Sequence, residues 1–424
     1  MKKPVWKRYR RYFRERYVKE VTGGVCAPKG FLAGGIRCGI KESSQKKDMA
    51  LIYSKELCSA AAVYTANKVK AASVLVSQEN TASGKLRALI ANSGNANACT
   101  GQEGMAAAKR MAQLVADTFL ISPSEVAVAS TGVIGVPLPI SVIENNIEAL
   151  KKSLREDGQG HADALEAIMT TDTRKKEIAV ETEIGGRQVR IGAMAKGSGM
   201  IHPNMATMLA FITTDAAILP PALDSSLRCA VSRSFNRLTV DGDTSTNDMV
   251  LIMANGEAGN KPVTAESADY TIFCEALDYV CTALTRMMAR DGEGATKLVT
   301  VTVKGAASEE TAVILAKSVA SSSLVKAACF GADANWGRVL CAMGYAGVDF
   351  SPEKTSISFK SAAGEIEVCR DGGPVAFSEE RAKEILSEEE IEIFISIKDG
   401  DGIASVWGCD LTYDYVKING DYRS

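Results

Sequence analysis

Apolar and polar positions recur along the chain with two different periods. Apolar residues three and four positions apart predict helices at residues 104–120, 142–154, 162–169, 223–238 and 270–290. Short apolar runs and period-two alternation predict strands at residues 87–91, 126–129, 249–253, 298–303, 355–359, 365–368, 391–397 and 404–407. Because helices and strands are interspersed, we expect an α/β protein of the mixed α+β kind, with helices packed on mixed β-sheets.

Turn signals refine this pattern. Gly185-Gly186 separates two short runs, 178–183 and 188–191, and predicts a hairpin. No internal repeat or low-complexity linker is visible, so domain boundaries are weakly marked. The polar stretch 306–311 and the region 347–355 are the candidate boundaries.

The composition is that of an ordinary globular enzyme. The 424 residues are 46% hydrophobic and 24% charged, with a formal net charge of −2. This balance excludes collagen-like, disordered and small disulfide-stapled classes. The near-neutral charge argues against a nucleic-acid-binding protein, so we expect no nucleic-acid partner.

The first 20 residues differ from the rest of the chain. They hold nine Lys or Arg and two Glu, a net charge of +7. We interpret residues 1–20 as a basic N-terminal extension exposed to solvent. A nucleic-acid or membrane-surface role and a transit peptide are the weaker alternatives.

The cysteines and histidines do not indicate a metal centre. The eleven cysteines include no Cys-x-x-Cys pair, and His161 and His202 are too far apart for a metal-binding helix motif. Scattered unpaired cysteines fit a reducing cytosol, so we expect a cytoplasmic protein without a metal. Since no uninterrupted run of 18 apolar residues occurs, we expect no membrane partner.

The most unusual segment is residues 196–216, a glycine and proline loop followed by an apolar run. Thr207 stands at the head of that run, after the small residue Ala206. A threonine hydroxyl there can attack the preceding carbonyl, and hydrolysis of the resulting ester frees the α-amine of Thr207. An α-amine has a pKa of about 7.7–8.0, so it can act as base for its own hydroxyl. The alternative is a core strand with an incidental threonine.

The whole segment resembles the self-cleavage signature of the ornithine acetyltransferase (ArgJ) family. That family is described as bifunctional, glutamate N-acetyltransferase and amino-acid acetyltransferase, in the cyclic route to arginine. The likeness covers about residues 21–424. Other matching blocks are Ala27-Pro-Lys-Gly-Phe31, Asn92-Ser-Gly-Asn-Ala-Asn97, Ser130-Thr-Gly-Val-Ile-Gly135, Thr170-Thr-Asp-Thr173, Asp241-Gly-Asp-Thr-Ser-Thr-Asn-Asp248, Gly292-Glu-Gly-Ala-Thr-Lys297 and Gly331-Ala-Asp-Ala-Asn-Trp-Gly-Arg338.

The resemblance implies a self-processing fold of the N-terminal-nucleophile type. Cleavage between Ala206 and Thr207 would give an α chain, residues 21–206 after the extension, and a β chain, residues 207–424. Two α and two β chains would form a heterotetramer. Thr207 would be the nucleophile, and Thr131 and Gly132 would supply a hydroxyl and a backbone N–H as the oxyanion hole.

The resemblance also implies residues that bind the substrate, a zwitterionic amino acid carrying an acetyl group. They are Thr173, Lys196, Thr207, Glu293, Asn419 and Ser424. Lys196 would suit a carboxylate, and Glu293 would suit the side-chain ammonium of ornithine. From the sequence alone, a glutamate in a loop is more often exposed surface, and a chain terminus is more often frayed.

Two further features have weaker interpretations. His202 lies five residues before Thr207, but the freed α-amine already fills the role of base, so we favour a structural role in the loop. Residues 241–248 hold three Asp in eight positions. They lack the closing Glu of a calcium loop, so a structural turn is favoured over a cation site.

The resemblance implies an acetyltransferase. It would move acetyl from N2-acetyl-L-ornithine to L-glutamate by a ping-pong mechanism through acetyl-Thr207. We expect no cofactor, and family members differ in whether acetyl-CoA is also a donor. The alternatives are a self-cleaving aminopeptidase or amidase, which passes the acyl group to water, and an amino-acid-binding protein.

Overall fold

The computed structural model describes residues 18–41, 44–202 and 208–421. Its helices are α1 (Ala72–Thr81), α2 (Gly101–Phe119), α3 (Ile140–Lys152), α4 (Gly158–Ile168), α5 (Pro220–Arg233), α6 (Asp269–Arg290), α7 (Glu309–Ser321), α8 (Ser323–Phe330), α9 (Trp336–Gly344), α10 (Glu379–Leu386) and α11 (Tyr413–Asp421). Its strands are β1 (Lys19–Val21), β2 (Phe31–Ile36), β3 (Met49–Tyr64), β4 (Lys85–Asn95), β5 (Val126–Val133), β6 (Lys176–Ile184), β7 (Arg187–Lys196), β8 (Leu209–Thr214), β9 (Met249–Ala254), β10 (Leu298–Ala306), β11 (Ser356–Ser361), β12 (Gly364–Arg370), β13 (Gly373–Pro374), β14 (Glu390–Ser396) and β15 (Gly402–Cys409).

These strands form two sheets, which we call the first and the second sheet. The first has the order β1-β6-β7-β8-β9-β3-β4-β5. A further strand of this sheet, β2, pairs with the first part of β3, residues 49–54, which pairs with β4 along its other edge. The β4–β5 and β8–β9 pairs of the first sheet are parallel. The second sheet has the order β13-β12-β11-β14-β10-β15, with β10 and β14 parallel. Both sheets are therefore mixed, and helices cover them, which confirms the predicted mixed α/β fold.

The first sheet is covered on both faces. Every residue of β8 and β9 is buried. Ala210 and Ile212 pack into the hydrophobic cluster that contains α5 and α6, whereas Leu209 and Phe211 pack into the cluster that contains α4. Strands buried on both faces carry continuous apolar runs, which is the pattern of these segments in the sequence.

Two strands of the second sheet, β11 and β14, are buried on one face only. Alternate residues of β11 and β14 are buried, and those between them are partly exposed. Ile391, Ile393 and Ile395 of β14 join the cluster that contains α7 and α10. This one-sided burial explains the period-two alternation that predicted β14 from the sequence.

The two candidate domain boundaries do not coincide with the point at which the chain passes from one sheet to the other. Residues 306–311 connect β10 to α7, and residues 347–355 connect α9 to β11, so both lie inside the unit built on the second sheet. The chain instead passes from one sheet to the other between α6 and β10. Polar residues occur in turns between two elements as well as between domains. Their presence alone therefore does not show where the chain passes from the first sheet to the second.

Several predicted elements have different ends. The predicted strands 87–91 and 126–129 continue to Asn95 and Val133, because their polar residues pair with one another in parallel register, Ser93 with Thr131. The predicted helix 223–238 spans Pro220–Arg233 and is followed by a 3₁₀ turn, Phe235–Arg237. The hairpin around Gly185-Gly186 is confirmed as β6–β7.

No single helix in the described ranges is long and apolar enough to cross a membrane. The bent pair α7–α8, with a 61° bend, reaches the required length and composition only when its two helices are taken together.

Candidate active site

The carboxyl ends of two parallel strands form one wall of the site. β4 and β5 run side by side as far as Gly94 and Gly132. Gly132 has φ of +135°, and a Cβ built on it would lie 2.3 Å from the carbonyl carbon of Gly94. Only glycine permits this φ and this close approach of two backbones. The predicted oxyanion-hole residues thus belong to a tightly paired strand end.

Lys196 lies against this strand end. It is the last residue of β7, is 4% exposed, and its Nζ donates a hydrogen bond to Oγ1 of Thr131 at 3.4 Å. Since an ammonium group can only donate, the Thr131 oxygen accepts, and the Thr131 hydroxyl proton remains available for another acceptor. Burial lowers the pKa of Lys196, while the carboxylate of Asp172 acts in the opposite direction.

The same end of the first sheet leads to the predicted nucleophile. β7 and β8 are antiparallel, and the residue opposite Lys196 is Leu209. Leu209 follows Thr207 by two positions in the sequence. Ala206 and Thr207 themselves lie outside the described residues, so the cleavage site and the nucleophile stay predictions.

Two aspartates bind the backbone on either side of residues 203–207. The Asp241 carboxylate accepts the N–H groups of Met200 at 2.6 Å and Ile201 at 2.8 Å. Oδ1 of Asp248, a fully buried residue, accepts the N–H of Met208 at 2.9 Å. Burial raises the pKa of both carboxyl groups.

These contacts fit the turn interpretation of residues 241–248. The end aspartates bind backbone N–H groups rather than converging on one point. In the part of the chain that the structure describes, no group of three His, Cys, Asp or Glu side chains is arranged to hold a metal ion.

Thr173 is exposed, and Asp291 holds its backbone and its side chain. Its N–H donates to Oδ2 of Asp291 at 3.0 Å, and its hydroxyl donates to Oδ1 of the same carboxylate. The N–H of Arg174 also donates to Asp291, at 3.1 Å. Asp291 follows the last turn of α6, so the end of that helix holds the loop that carries Thr173.

Glu293 and Asn419 are brought together by the second sheet. β10 and β15 are antiparallel, with Leu298 opposite Cys409, so the segment before β10 and the segment after β15 leave the sheet at the same end. Nδ2 of Asn419, on α11, donates to Oε2 of Glu293 at 2.9 Å. Ser424 lies outside the described residues.

A backbone contact joins Glu293 to the segment that follows Lys196. The N–H of Glu293 donates to the carbonyl of Ser198 at 2.8 Å. A Cβ on Gly199 would lie 2.2 Å from Oε2 of Glu293, so the carboxylate packs directly on this glycine. The buried ammonium of Lys196 therefore precedes the short segment 197–199, and the partly exposed carboxylate of Glu293 packs on the last residue of that segment.

A cavity of about 400 Å³ opens beside Thr173 and Asp291. Its positively charged lining residues are Arg174, Arg290 and Lys417, and its negatively charged ones are Asp291, Asp414 and Asp421. Both signs of charge beside predicted substrate-binding positions suit a small zwitterionic ligand.

His202 does not take part in these contacts among the described residues. Its Nδ1 lies 3.3 Å from Oγ1 of Thr239. Burial lowers its pKa, and the positive charge of Lys317 acts in the same direction. The position agrees with the favoured structural role in the loop.

The sequence analysis missed the role of a buried group of charges behind the site. Asp172, Lys176 and Asp291 are all at most 5% exposed. Asp172 belongs to the block Thr170-Thr-Asp-Thr173, which carries the family resemblance, whereas Asp291 lies just before the block that begins at Gly292. Lys175 and Glu177, the neighbours of Lys176 at the start of β6, are charged and exposed, so nothing in the local sequence marks Lys176 as buried.

The fold and the site define a mixed α/β enzyme with its polar groups gathered where the two sheets meet. The model of the ArgJ family matches residues 32–424. The arginine biosynthesis bifunctional protein ArgJ of Symbiobacterium thermophilum is 54% identical, over 95% of this chain and 99% of that protein. The protein of the same name from Caldanaerobacter subterraneus is 50% identical, over 95% and 99%. The chain therefore belongs to the ArgJ family.

Solved structures also match. A crystal structure of the arginine biosynthesis bifunctional protein from Bacillus halodurans is 45% identical and covers 50% of this chain and 97% of its own, with a TM-score of 0.47. An ornithine acetyltransferase from Mycobacterium tuberculosis, solved with ornithine, is 37% identical and covers 44% and 98%, with a TM-score of 0.41. The family model and the relatives that match along nearly their whole length confirm the resemblance stated from the sequence, and with it an enzyme of arginine biosynthesis.

Proposed function

We propose that this enzyme transfers an acetyl group from N2-acetyl-L-ornithine to L-glutamate by a ping-pong mechanism. The observation that carries the proposal is the contact between Lys196 and Thr131, which are 65 positions apart in the sequence. It joins the predicted oxyanion hole to the strand whose partner, β8, begins two residues after Thr207.

In the first half-reaction, the α-amine of Thr207 takes the proton of its own hydroxyl, and Oγ1 attacks the acetyl carbon. The carbonyl oxygen becomes an oxyanion, which the Thr131 hydroxyl and the Gly132 N–H stabilise. Collapse breaks the amide bond, the proton passes to the departing amine, and ornithine leaves. The acetyl group stays on Thr207 as an ester.

In the second half-reaction, the amine of glutamate attacks the ester carbonyl. The same oxyanion hole stabilises the second tetrahedral intermediate, and Thr207 Oγ1 leaves with its proton restored. The products are N-acetyl-L-glutamate and free enzyme. Lys196 binds a substrate carboxylate, and Glu293 with Asn419 binds the side-chain end of ornithine, which agrees with the opposite charges across the site.

Self-cleavage between Ala206 and Thr207 generates the α-amine in this proposal. The α chain then comprises residues up to 206, with 1–20 as a basic extension, and the β chain comprises 207–424. Two copies of each form the proposed heterotetramer, and the proposed location is the cytoplasm. The family assignment and the similarity to relatives along nearly their whole length support this scheme.

The deciding assay supplies the purified protein with N-acetylornithine, with and without glutamate. Ornithine released in quantity only with glutamate supports transfer. Ornithine released continuously without glutamate makes the protein an amidase, and no release in either case leaves only binding. Acetyl-CoA with glutamate, in a separate reaction, tests the second donor.

Self-cleavage has its own test on a denaturing gel. The wild type should give chains of 206 residues and the remaining 218 of the 424. Thr207→Ala should stay uncut and inactive, whereas Thr207→Ser, which keeps a hydroxyl, should retain cutting and part of the activity. Fully active protein that runs as a single full-length band would overturn the cleavage step.

A further inference from the structure

A buried lysine connects two predicted substrate-binding segments. Lys176 is fully buried, and its Nζ lies 2.6 Å from Oδ1 of Asp172 and 2.5 Å from Oδ2 of Asp291. The same ammonium lies 3.3 Å from the carbonyl oxygen of Arg174. Three acceptors thus satisfy the three N–H donors of the lysine, so the position of the ammonium relative to Asp172 and Asp291 is fixed.

Each of the two carboxylates also accepts hydrogen bonds from a different segment of the site. Asp172 accepts the N–H of Gly197 at 2.7 Å, directly after Lys196. Asp291 accepts both the N–H and the hydroxyl of Thr173. The bridge Asp172–Lys176–Asp291 therefore ties Lys196 and Thr173 to one fixed point.

The charges of this group balance. Two carboxylates, Asp172 and Asp291, face the ammonium groups of Lys176 and Lys196. Although burial acts against it, the positive charges of Lys196 and Lys176 hold the pKa of Asp172 well below its usual range. Removing one cation leaves a buried negative charge without compensation, which strongly disfavours the observed arrangement.

We infer that Lys176 is a positioning residue for substrate binding, acting through Asp172 on Lys196 and through Asp291 on Thr173. This inference rests on the proposed function. Lys176 does not face the cavity and touches no predicted catalytic atom. Its contribution is to keep two binding groups, which come from segments 23 positions apart, at a constant separation.

The test compares Lys176→Met with Lys175→Met in the purified full-length protein. The two substitutions are identical and adjacent, but Lys175 is exposed. KM and kcat for N-acetylornithine are measured per active site, counted by the burst of ornithine. We expect KM to rise about tenfold or more in Lys176→Met, with a smaller fall in kcat, because a displacement of about 1 Å in a binding group weakens recognition strongly. Lys175→Met should match the wild type.

A purely structural role gives a different result, since partial unfolding lowers the number of active sites and leaves KM unchanged. Folded Lys176→Met with the KM of the wild type overturns the inference. If Lys176→Met does not fold, Asp291→Asn decides, because it keeps the size of the side chain and the Lys176–Asp172 pair. It should raise KM, and an unchanged KM again overturns the inference. A wild type that transfers no acetyl group overturns the proposed function instead, which the wild-type reaction alone reveals.

Discussion

The two sheets of this protein bury their side chains in different ways. The central strands of the first sheet, β8 and β9, are buried at every position and contain no charged residue. The buried Lys196 is the last residue of the neighbouring strand β7. β14 of the second sheet alternates buried Ile with partly exposed residues. A sheet covered on both faces has few places for polar groups, so those at its ends are surrounded by protein and held firmly.

The second sheet contributes to the site through its connections. Its strands β10 and β15 bring the segments of Glu293 and Asn419 together. Lys326 of α8 reinforces the junction, since its buried ammonium donates to the carbonyls of Val240 at 2.6 Å and Cys409 at 2.7 Å. In the proposed function, Thr131, Gly132, Thr173 and Lys196 come from the first sheet and the segment before it, whereas Glu293 and Asn419 are attached to the second sheet.

The largest difference should appear in stability when matched phenylalanines are truncated. Phe211 in β8 is 1% exposed, whereas Phe394 in β14 is partly exposed beneath the ammonium of Lys360, 3.7 Å from its ring centre. Phe211→Ala should lower the free energy of unfolding by about 3–5 kcal/mol. Phe394→Ala should lower it by about 1 kcal/mol. Denaturant unfolding in the uncut Thr207→Ala background measures both, and equal losses would contradict the contrast between the sheets.

Replacing a glycine by alanine should reduce the activity strongly in the first sheet and little in the unit built on the second sheet. Gly132→Ala forces a Cβ into the backbone of Gly94, so it should displace the oxyanion-hole N–H and lower kcat about 10²–10³-fold. Gly344→Ala is the matched control, because a Cβ at the end of α9 meets no atom within 4 Å among the described residues. Steady-state kinetics on both proteins provides the test. Similar activity in the two variants would mean that the N–H of Gly132 is not part of the oxyanion hole.

Glu293 tests whether the second sheet carries recognition. Glu293→Gln keeps the size and removes the charge, so kcat/KM for N-acetylornithine should fall by a factor on the order of 10². Self-cleavage involves no ornithine and should persist. The half-reaction is compared in cleaved wild-type and cleaved variant protein. An unchanged kcat/KM would mean that the ammonium of ornithine binds elsewhere.

The smallest effect concerns acid stability. The folded state lowers the pKa of Asp172, so its ionised form stabilises the protein above the unfolded pKa of about 3.9, and this contribution is lost as the pH falls further. The difference in unfolding free energy between wild type and Asp172→Asn should therefore be constant above about pH 5 and shrink below about pH 4.

The matched control for this measurement is Asp399→Asn. A hydrogen bond from Ser351 lowers the pKa of Asp399, near the surface of the unit built on the second sheet. Water screens this site, so the pH-dependent difference should be smaller than for Asp172. Urea unfolding at several pH values records both series. A larger acid effect at Asp399 would reverse the ranking of the two regions.

Many of the helices and strands could be predicted, because the pattern of residues within each segment indicates its secondary structure. Alternation predicted β14, helical spacing predicted α6, and Gly185-Gly186 predicted the β6–β7 turn. β3 was not predicted, because it contains small residues and the polar pair Lys55-Glu56, beside an irregularity in its pairing with β4 between Tyr53 and Cys58. The short helices of the second unit were missed as well, since they offer few turns over which periodicity can be detected.

The candidate site was predictable in part. Motif resemblance indicated Thr131, Gly132, Thr173, Lys196, Glu293 and Asn419. In the structure Lys196 contacts Thr131 and Asn419 contacts Glu293, whereas Thr173 is joined to the Lys196 segment through Asp291, Lys176 and Asp172. The resemblance did not indicate Lys176, which in the sequence follows Arg174 and Lys175 as one more basic residue. Whether such a lysine is exposed or buried depends on Asp291, 115 positions away.

The amino-acid order alone thus established the types and approximate places of most secondary-structure elements and the residues that mark the family. These properties follow from neighbours in the chain, because the period of a helix or strand repeats within a few residues. The partners of Lys176, the meeting of Lys196 with Thr131 and the pairing of Glu293 with Asn419 emerged only on folding. Hydrogen bonds and ion pairs depend on distance in space, and both the arrangement of strands within a sheet and the packing of elements around it bring together groups that the sequence keeps far apart.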